Sequence, residues 1–139
     1  MISKIFFDSN ILLYSVDTKD PEKQEKARSI ISQAGMHGNG VISTQVLQEY
    51  IAVDIKKFRR DYLIVKQLCR EWQSSFEVIL IRPDIIEDAI EVSAIYQFSF
   101  WDSLIVSSAL AARCGILMTE DLQDGQVIQG LKIMNPFKK

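Results

Sequence analysis

The stretch "KIFFDSNILLYSVD", Lys4 to Asp17, decides the fold. Its apolar run Ile5–Phe7 stops at Asp8, passes through Ser9 and Asn10, and resumes at once with Ile11, Leu12 and Leu13. This is the pattern of a short buried strand that turns directly into a helix. Asp8 then has two readings. It can cap the helix by accepting backbone N–H bonds, or it can project into the crevice that gathers at the carboxyl ends of strands in an open parallel sheet, where ligands bind. The choice depends on whether other acids, distant in sequence, reach the same edge.

Outward from this stretch, short apolar runs at Val41–Ser43, Val78–Ile81, Ile116–Met118 and Lys132–Met134 alternate with helix-period segments. That alternation predicts an α/β fold: one domain over residues 1–139, with a mostly parallel central sheet of four to five strands flanked by helices. Asp20 and Pro21 open a helix with Ala27, Ile30, Ile31 and Ala34 inward, ending at Gly35. Ser43 or Thr44 caps a second, with a stripe through Val46, Leu47, Tyr50, Val53 and Ile55. A third places Ile64, Val65, Leu68, Cys69 and Trp72 on one face, and these two meet near "KKFRRD". Asp84 and Glu87 form a capping-box pattern for a helix with Ile86, Ala89, Ile90 and Ser93 inward. The segment from about Phe100 to Arg113 is apolar on nearly all sides and is expected to be buried.

The chain has 139 residues, 47% of them hydrophobic, enough for one core that buries roughly 68% of the unfolded surface. A net charge of −2 and a pI near 5.4 advertise no polyanion partner. Charge is nevertheless uneven: Ile55–Arg70 holds six basic residues and one acid, a local +5 that leaves −7 for the remainder. Asp8 interrupts the N-terminal apolar stretch before it reaches the length of a signal sequence, and Arg113 breaks the best membrane-span candidate. A cytoplasmic protein is the expectation. Cys69 and Cys114, far apart and within apolar patterns, read as small core residues, while His37 and Asp17 read as solvated loop residues.

Four acids stand at strand-linked positions. Asp8 ends the first strand, Glu49 lies in the second turn of the helix after the second, Asp102 opens the apolar helix, and Asp121 follows "GILMT". Each has a structural explanation alone: "SFWD" is itself a capping box from Ser99 to Asp102. Capping does not explain why an acid fronts the most apolar helix in the chain, where a buried charge needs compensation. Four carboxylates at one edge repel by about 4 kcal/mol per ionised pair at 4 Å and an effective dielectric of 20. Protonation or a cation must relieve this. With no His or Cys placed beside them, an oxygen-only site favours Mg²⁺ or Mn²⁺ over zinc. Such an ion suits in-line hydrolysis of a phosphodiester.

Together "FFDSNILLYSVD", "VISTQVLQEY", "FWDSLIVSSAL", "ILMTEDLQDGQVI" and "LKIMNPF" resemble the PIN-domain family, especially the VapC-like ribonuclease toxins of prokaryotic toxin–antitoxin pairs, from end to end. The resemblance implies that Asp8, Glu49, Asp102 and Asp121 form the catalytic quartet, with Asp8, Asp102 and Asp121 holding Mg²⁺ or Mn²⁺. Asn10 and Thr119 match polar positions that support the site. Glu120 departs from the family's frequent Asn before the last acid, and Asp124 is an extra carboxylate that competes with Asp121 for the metal. An RNA substrate, a homodimer and a small antitoxin protein are also implied. For RNA contact the candidates are Lys56, Lys57, Arg59 and Arg60, in a helix pair that an antitoxin can use instead.

Within the resemblance, the alternative is a PIN-fold RNA-processing nuclease outside any toxin pair, and readings beyond it compete as well. A haloacid-dehalogenase-type phosphatase also places Asp after its first strand, but "DSN" lacks the second acid of D-x-D, and Glu49 has no task there. A noncatalytic module retaining the fold and binding metal or RNA is the rival from outside the enzymes.

Overall fold

The computed structural model describes residues 2–139. Strands β1 (Ile5–Phe7), β2 (Gly40–Ser43), β3 (Glu77–Ile79), β4 (Ile116–Met118), β5 (Val127–Ile128) and β6 (Leu131–Met134) form one sheet in the order β3-β2-β1-β4-β6-β5. All neighbours run parallel except β5 with β6. The helices are α1 (Ser9–Val16), α2 (Pro21–His37), α3 (Thr44–Lys56), α4 (Tyr62–Ser75), α5 (Pro83–Tyr96) and α6 (Phe100–Ala111). The chain runs outward from β1 to β2 and β3, then returns to build β4 and β6 on the other side. β1 and β4 therefore flank the point where strand order reverses, which is where crevices open in such sheets.

The core forms because β1, β2 and β4 are apolar on both faces: Phe6, Phe7, Val41, Ile42 and Leu117 are all essentially inaccessible. They are covered by Ile11 and Leu12 of α1, Val46 and Tyr50 of α3, and Ile105, Val106 and Ala109 of α6. Helix α6 is buried from Ser103 to Ala109. It ends at Ala111, two residues short of the expected Arg113. Gly40 opens β2 because a Cβ there would meet the Phe76 ring at 2.6 Å.

The structure corrects several expectations. The sheet has six strands, since Val127–Ile128 pairs back on β6 as an antiparallel edge. Helix α2 runs through Gly35 to His37, so His37 is helical and not in a loop, and Gly38 at φ +65° is the left-handed cap. Arg82 takes the N-cap position of α5 with no side-chain cap bond, and Ile85, Ala89 and Val92 face inward while Ile86 and Ile90 are exposed. Ile55 and Ile64 are likewise exposed. Cys114 is buried, and Cys69 is half-buried on α4.

In α3 the inward position beside Ile55 belongs to Asp54, which is 0% exposed. Tyr50 Oη donates to its Oδ2 at 2.9 Å and Arg60 Nε to its Oδ1 at 2.6 Å, while the Arg60 guanidinium also donates to the Val16 carbonyl. This network ties the α3–α4 linker to the end of α1. Arg60→Gln strands a buried carboxylate, and the expected loss is on the order of 2–3 kcal/mol because the guanidinium is partly solvated. Urea denaturation measures it, and adding Asp54→Asn is expected to restore part of the loss.

Candidate active site

Asp8 sits where β1 gives way to α1. Its backbone N–H continues the ladder by donating to the Met118 carbonyl (3.0 Å), and its Oδ1 caps α1 by accepting from Ser9 N (2.7 Å). The opposite oxygen, Oδ2, accepts from Thr119 Oγ1 at 2.8 Å. Thr119 is fully buried and is a branching point. Its hydroxyl also accepts from Asp121 N (3.1 Å) and, more weakly, from Asn10 Nδ2 (3.4 Å). Asn10 Nδ2 donates to Asp121 Oδ2 at 3.0 Å. On the other side of Asp8, Ser9 Oγ donates to Glu49 Oε1 (3.1 Å), and Gln45 Nε2 holds Glu49 Oε2 (3.3 Å) and the Trp101 carbonyl (3.2 Å). One chain of bonds therefore links Asp121, Asn10, Thr119, Asp8, Ser9, Glu49 and the residue preceding Asp102.

Position follows from local structure. Asp102 is at the third residue of α6, where its N–H donates to the capping Ser99 Oγ (3.1 Å). Glu49 lies one turn beyond Gln45 on the same face of α3. Asp121 follows β4 after the buried Thr119.

Burial is the leading cause that pushes the Asp8 carboxyl up to about 7 from its ordinary 3.8. Bonds from Thr119 and Ser9 oppose the rise, while the charges of Glu49 and Asp121 add to it. Burial also raises Glu49 and Asp102. The charges of Asp102 and Asp121 act on Glu49, and that of Asp121 acts on Asp102. The four acids thus share one electrostatic field. Among the described residues, no three His, Cys, Asp or Glu side chains stand close enough to hold a metal ion as they are. The donor set nevertheless fits a hard dication: it is all oxygen, its members raise one another's affinity for a proton, and Asp121 is exposed while Asp102 is half-exposed.

Asp124 lies apart from this group, because its Oδ1 accepts from Asn135 N (2.8 Å) and fixes the C-terminal turn. Glu120 points the other way from Asp121 as well. It accepts from Tyr14 Oη (2.7 Å) and Lys23 Nζ (3.2 Å), a cluster the sequence did not announce. Lys23 also lies over the Tyr14 ring at 4.5 Å. Asp17 caps the end of α1 away from the acids.

Lys56, Lys57 and Arg59 are exposed at the end of α3 and in the linker, whereas Arg60 is committed to Asp54. Lys57 and Phe58 line a cleft of about 170 Å³ whose other wall includes Asn10 and Glu120, so the basic linker borders the acid site. A wider cleft, about 570 Å³, lies between α2 and residues Pro136–Lys139 and contains none of the four acids.

The family model for the PIN domain matches residues 5–123. Solved structures agree over nearly the whole chain. A toxin–antitoxin complex from Klebsiella pneumoniae includes a chain 24% identical, covering 98% of this chain and 100% of that one at a TM-score of 0.68. The DNA-bound VapBC of Salmonella typhimurium gives 18% identity, 97% and 99% coverage and a TM-score of 0.71. VapC20 of Mycobacterium tuberculosis, described as a Sarcin–Ricin loop cleaving toxin, gives 15%, 82% and 87%, and 0.63. A search of curated proteins finds no significant match.

Proposed function

Because the chain belongs to the PIN domain family, we propose that it is a metal-dependent endoribonuclease acting at the β1/β4 edge, and the toxin of a toxin–antitoxin pair. The observation that carries this reading is the bond chain that joins Asp8, Glu49 and Asp121 around Thr119 and ends one residue from Asp102. Structural capping needs no such linkage between acids from four separate segments.

In this reading Asp8, Asp102 and Asp121 hold Mg²⁺ or Mn²⁺. When bound, the ion supplies positive charge to the phosphate oxygens and acidifies a water. Glu49 accepts the proton of the attacking water: burial raises its affinity for a proton, and Ser9 and Gln45 fix both its oxygens. Asn10 orients Asp121, and Thr119 sets the spacing between Asp8 and Asp121.

The partner assignment draws on the toxin–antitoxin complexes of like fold. Exposed Tyr62, Leu63 and Ile64 at the start of α4 support placing an antitoxin on the α3–α4 pair. A homodimer is part of the proposal, and a light-scattering mass twice that of the 15.9 kDa chain is the expected result. No helix among the described residues is long and apolar enough to cross a membrane.

The test is incubation of the pure protein with single-stranded and structured RNAs in Mg²⁺ or Mn²⁺, then in EDTA, beside Asp102→Asn. Cleavage is expected only in the first condition. Cleavage that survives EDTA or the substitution overturns the assignment. Replacing Lys56, Lys57 and Arg59 together by Gln is expected to make the salt dependence of RNA binding shallower by about 2 in the log–log slope, given roughly 0.7 per lost phosphate contact on a single strand. An unchanged slope assigns those residues to another surface.

A further inference from the structure

We propose that Trp101 is a platform on which an unpaired base stacks beside the phosphate being cut, so that this site selects RNA with an extruded or single-stranded nucleotide. The inference rests on the nuclease reading above and adds a residue that the acids do not supply.

Three observations carry it. Trp101 is 62% exposed, although the next seven residues but one, Ser103 to Ala109, are all buried. A large apolar ring left in water at the start of the most buried helix is not explained by core packing. The ring is also held in place: it meets Phe100 edge to face, with centroids 5.2 Å apart and planes at 73°, and Phe100 packs against Ile85, Ala89 and Leu104. Finally, its backbone is tied to the acids. Gln45 Nε2 donates to both the Trp101 carbonyl and Glu49, and Gln45 is only 4% exposed. Asp102 is the adjoining residue. The backbone that carries the indole is therefore held beside the acids by the same buried amide that holds Glu49.

A base in a duplex has both faces covered, so this platform takes only an unstacked one. Stacking adds no charge, and its contribution is independent of salt, unlike that of Lys56, Lys57 and Arg59.

The test uses full-length protein carrying Asp102→Asn to prevent cutting, in Mg²⁺, with a single-stranded RNA 12-mer and an abasic ribose-phosphate 12-mer as probes. Trp101→Ala is expected to weaken binding of the base-bearing RNA about 5- to 100-fold, with the salt slope unchanged and the abasic probe unaffected. Trp101→Phe is expected to retain most of the affinity. The chain has two tryptophans, and Trp72 is half-buried between Tyr50 and Phe76, so RNA should quench an emission component that Trp101→Phe removes. Equal binding by wild type and Trp101→Ala overturns the platform and leaves the nuclease reading standing. An abasic probe as sensitive to Trp101→Ala as the RNA also overturns it. A halved mass by light scattering, with RNA affinity unchanged, assigns the ring to a contact between copies instead. Absence of RNA binding by every form overturns both readings.

Discussion

Asp8→Asn is expected to cost about three orders of magnitude in RNA cleavage while making the metal-free protein more stable at pH 8. In the proposed mechanism the loss follows from removing a ligand of the ion whose charge stabilisation is worth several kcal/mol, at about 1.4 kcal/mol per decade. The gain in stability has a separate origin. Asp8 is 5% exposed, and its carboxyl titrates near 7 in the fold against 3.8 when free. Holding it ionised at pH 8 therefore opposes folding by about 4 kcal/mol. The amide keeps the shape and its Oδ1 still caps Ser9 N, while its Nδ2 faces a Thr119 hydroxyl that already accepts from Asp121 N and weakly from Asn10 Nδ2, so the gain is net of that strained contact. Urea denaturation in EDTA and a cleavage assay in Mn²⁺ measure the two effects on one preparation. A variant that still cuts removes Asp8 from the mechanism, and one less stable than wild type removes the burial argument.

The second large effect is on pH dependence. Metal-free wild type is expected to lose stability as pH rises from about 4 to about 7. Within this window the folded Asp8 keeps its proton and the unfolded one releases it, so the folded state binds more protons and each upward step favours unfolding. The contribution is fully present below pH 4 and gone above pH 7. Glu49 and Asp102, raised by burial as well, act with the same sign. Denaturation midpoints across the window should fall by an amount approaching the same 4 kcal/mol, and Asp8→Asn should remove most of the slope. Saturating Mg²⁺ should flatten it too, because the ion binds the ionised fold and not the unfolded chain. Stability that climbs through this window contradicts the placement of the acids.

What the sequence made legible was whatever a short-range pattern encodes. The run Ile5–Phe7 followed by Asp8 located β1 and its exit, and three other acids after strand or helix starts located the edge. Ser43, Ser99 and Asp20 cap where their side chains suggested. The misses share a cause, which is that long-range contacts decided them. The capping pattern at Asp84 and Glu87 lost to Pro83, whose fixed φ starts α5 two residues earlier, and packing chose Ile85, Ala89 and Val92 as the inward face. The expected stripe on α3 took in Ile55, yet its neighbour Asp54 is the buried one, satisfied inside by Tyr50 and Arg60. Two-residue β5 is too short to show alternation, and Glu120 gives no local hint of Tyr14 and Lys23. At the site, Asp121 was the expected acid and Asp124 a nearby extra carboxylate. The Asn135 amide separates them.

The strand order has a consequence for synthesis. β1 is made first but completes its ladder only when β4 lies beside it, and β4 in turn is flanked by β6. A growing chain that has emerged only as far as α5 contains Asp8 and Glu49, but it lacks Asp102, the Thr119 hydroxyl, Asp121 and the strand that supports them. On the proposed nuclease reading it has no cutting centre, however well its first half folds. The sheet order then acts as a timer: the centre is not assembled until translation has passed β4, and it is not braced until β6 has joined.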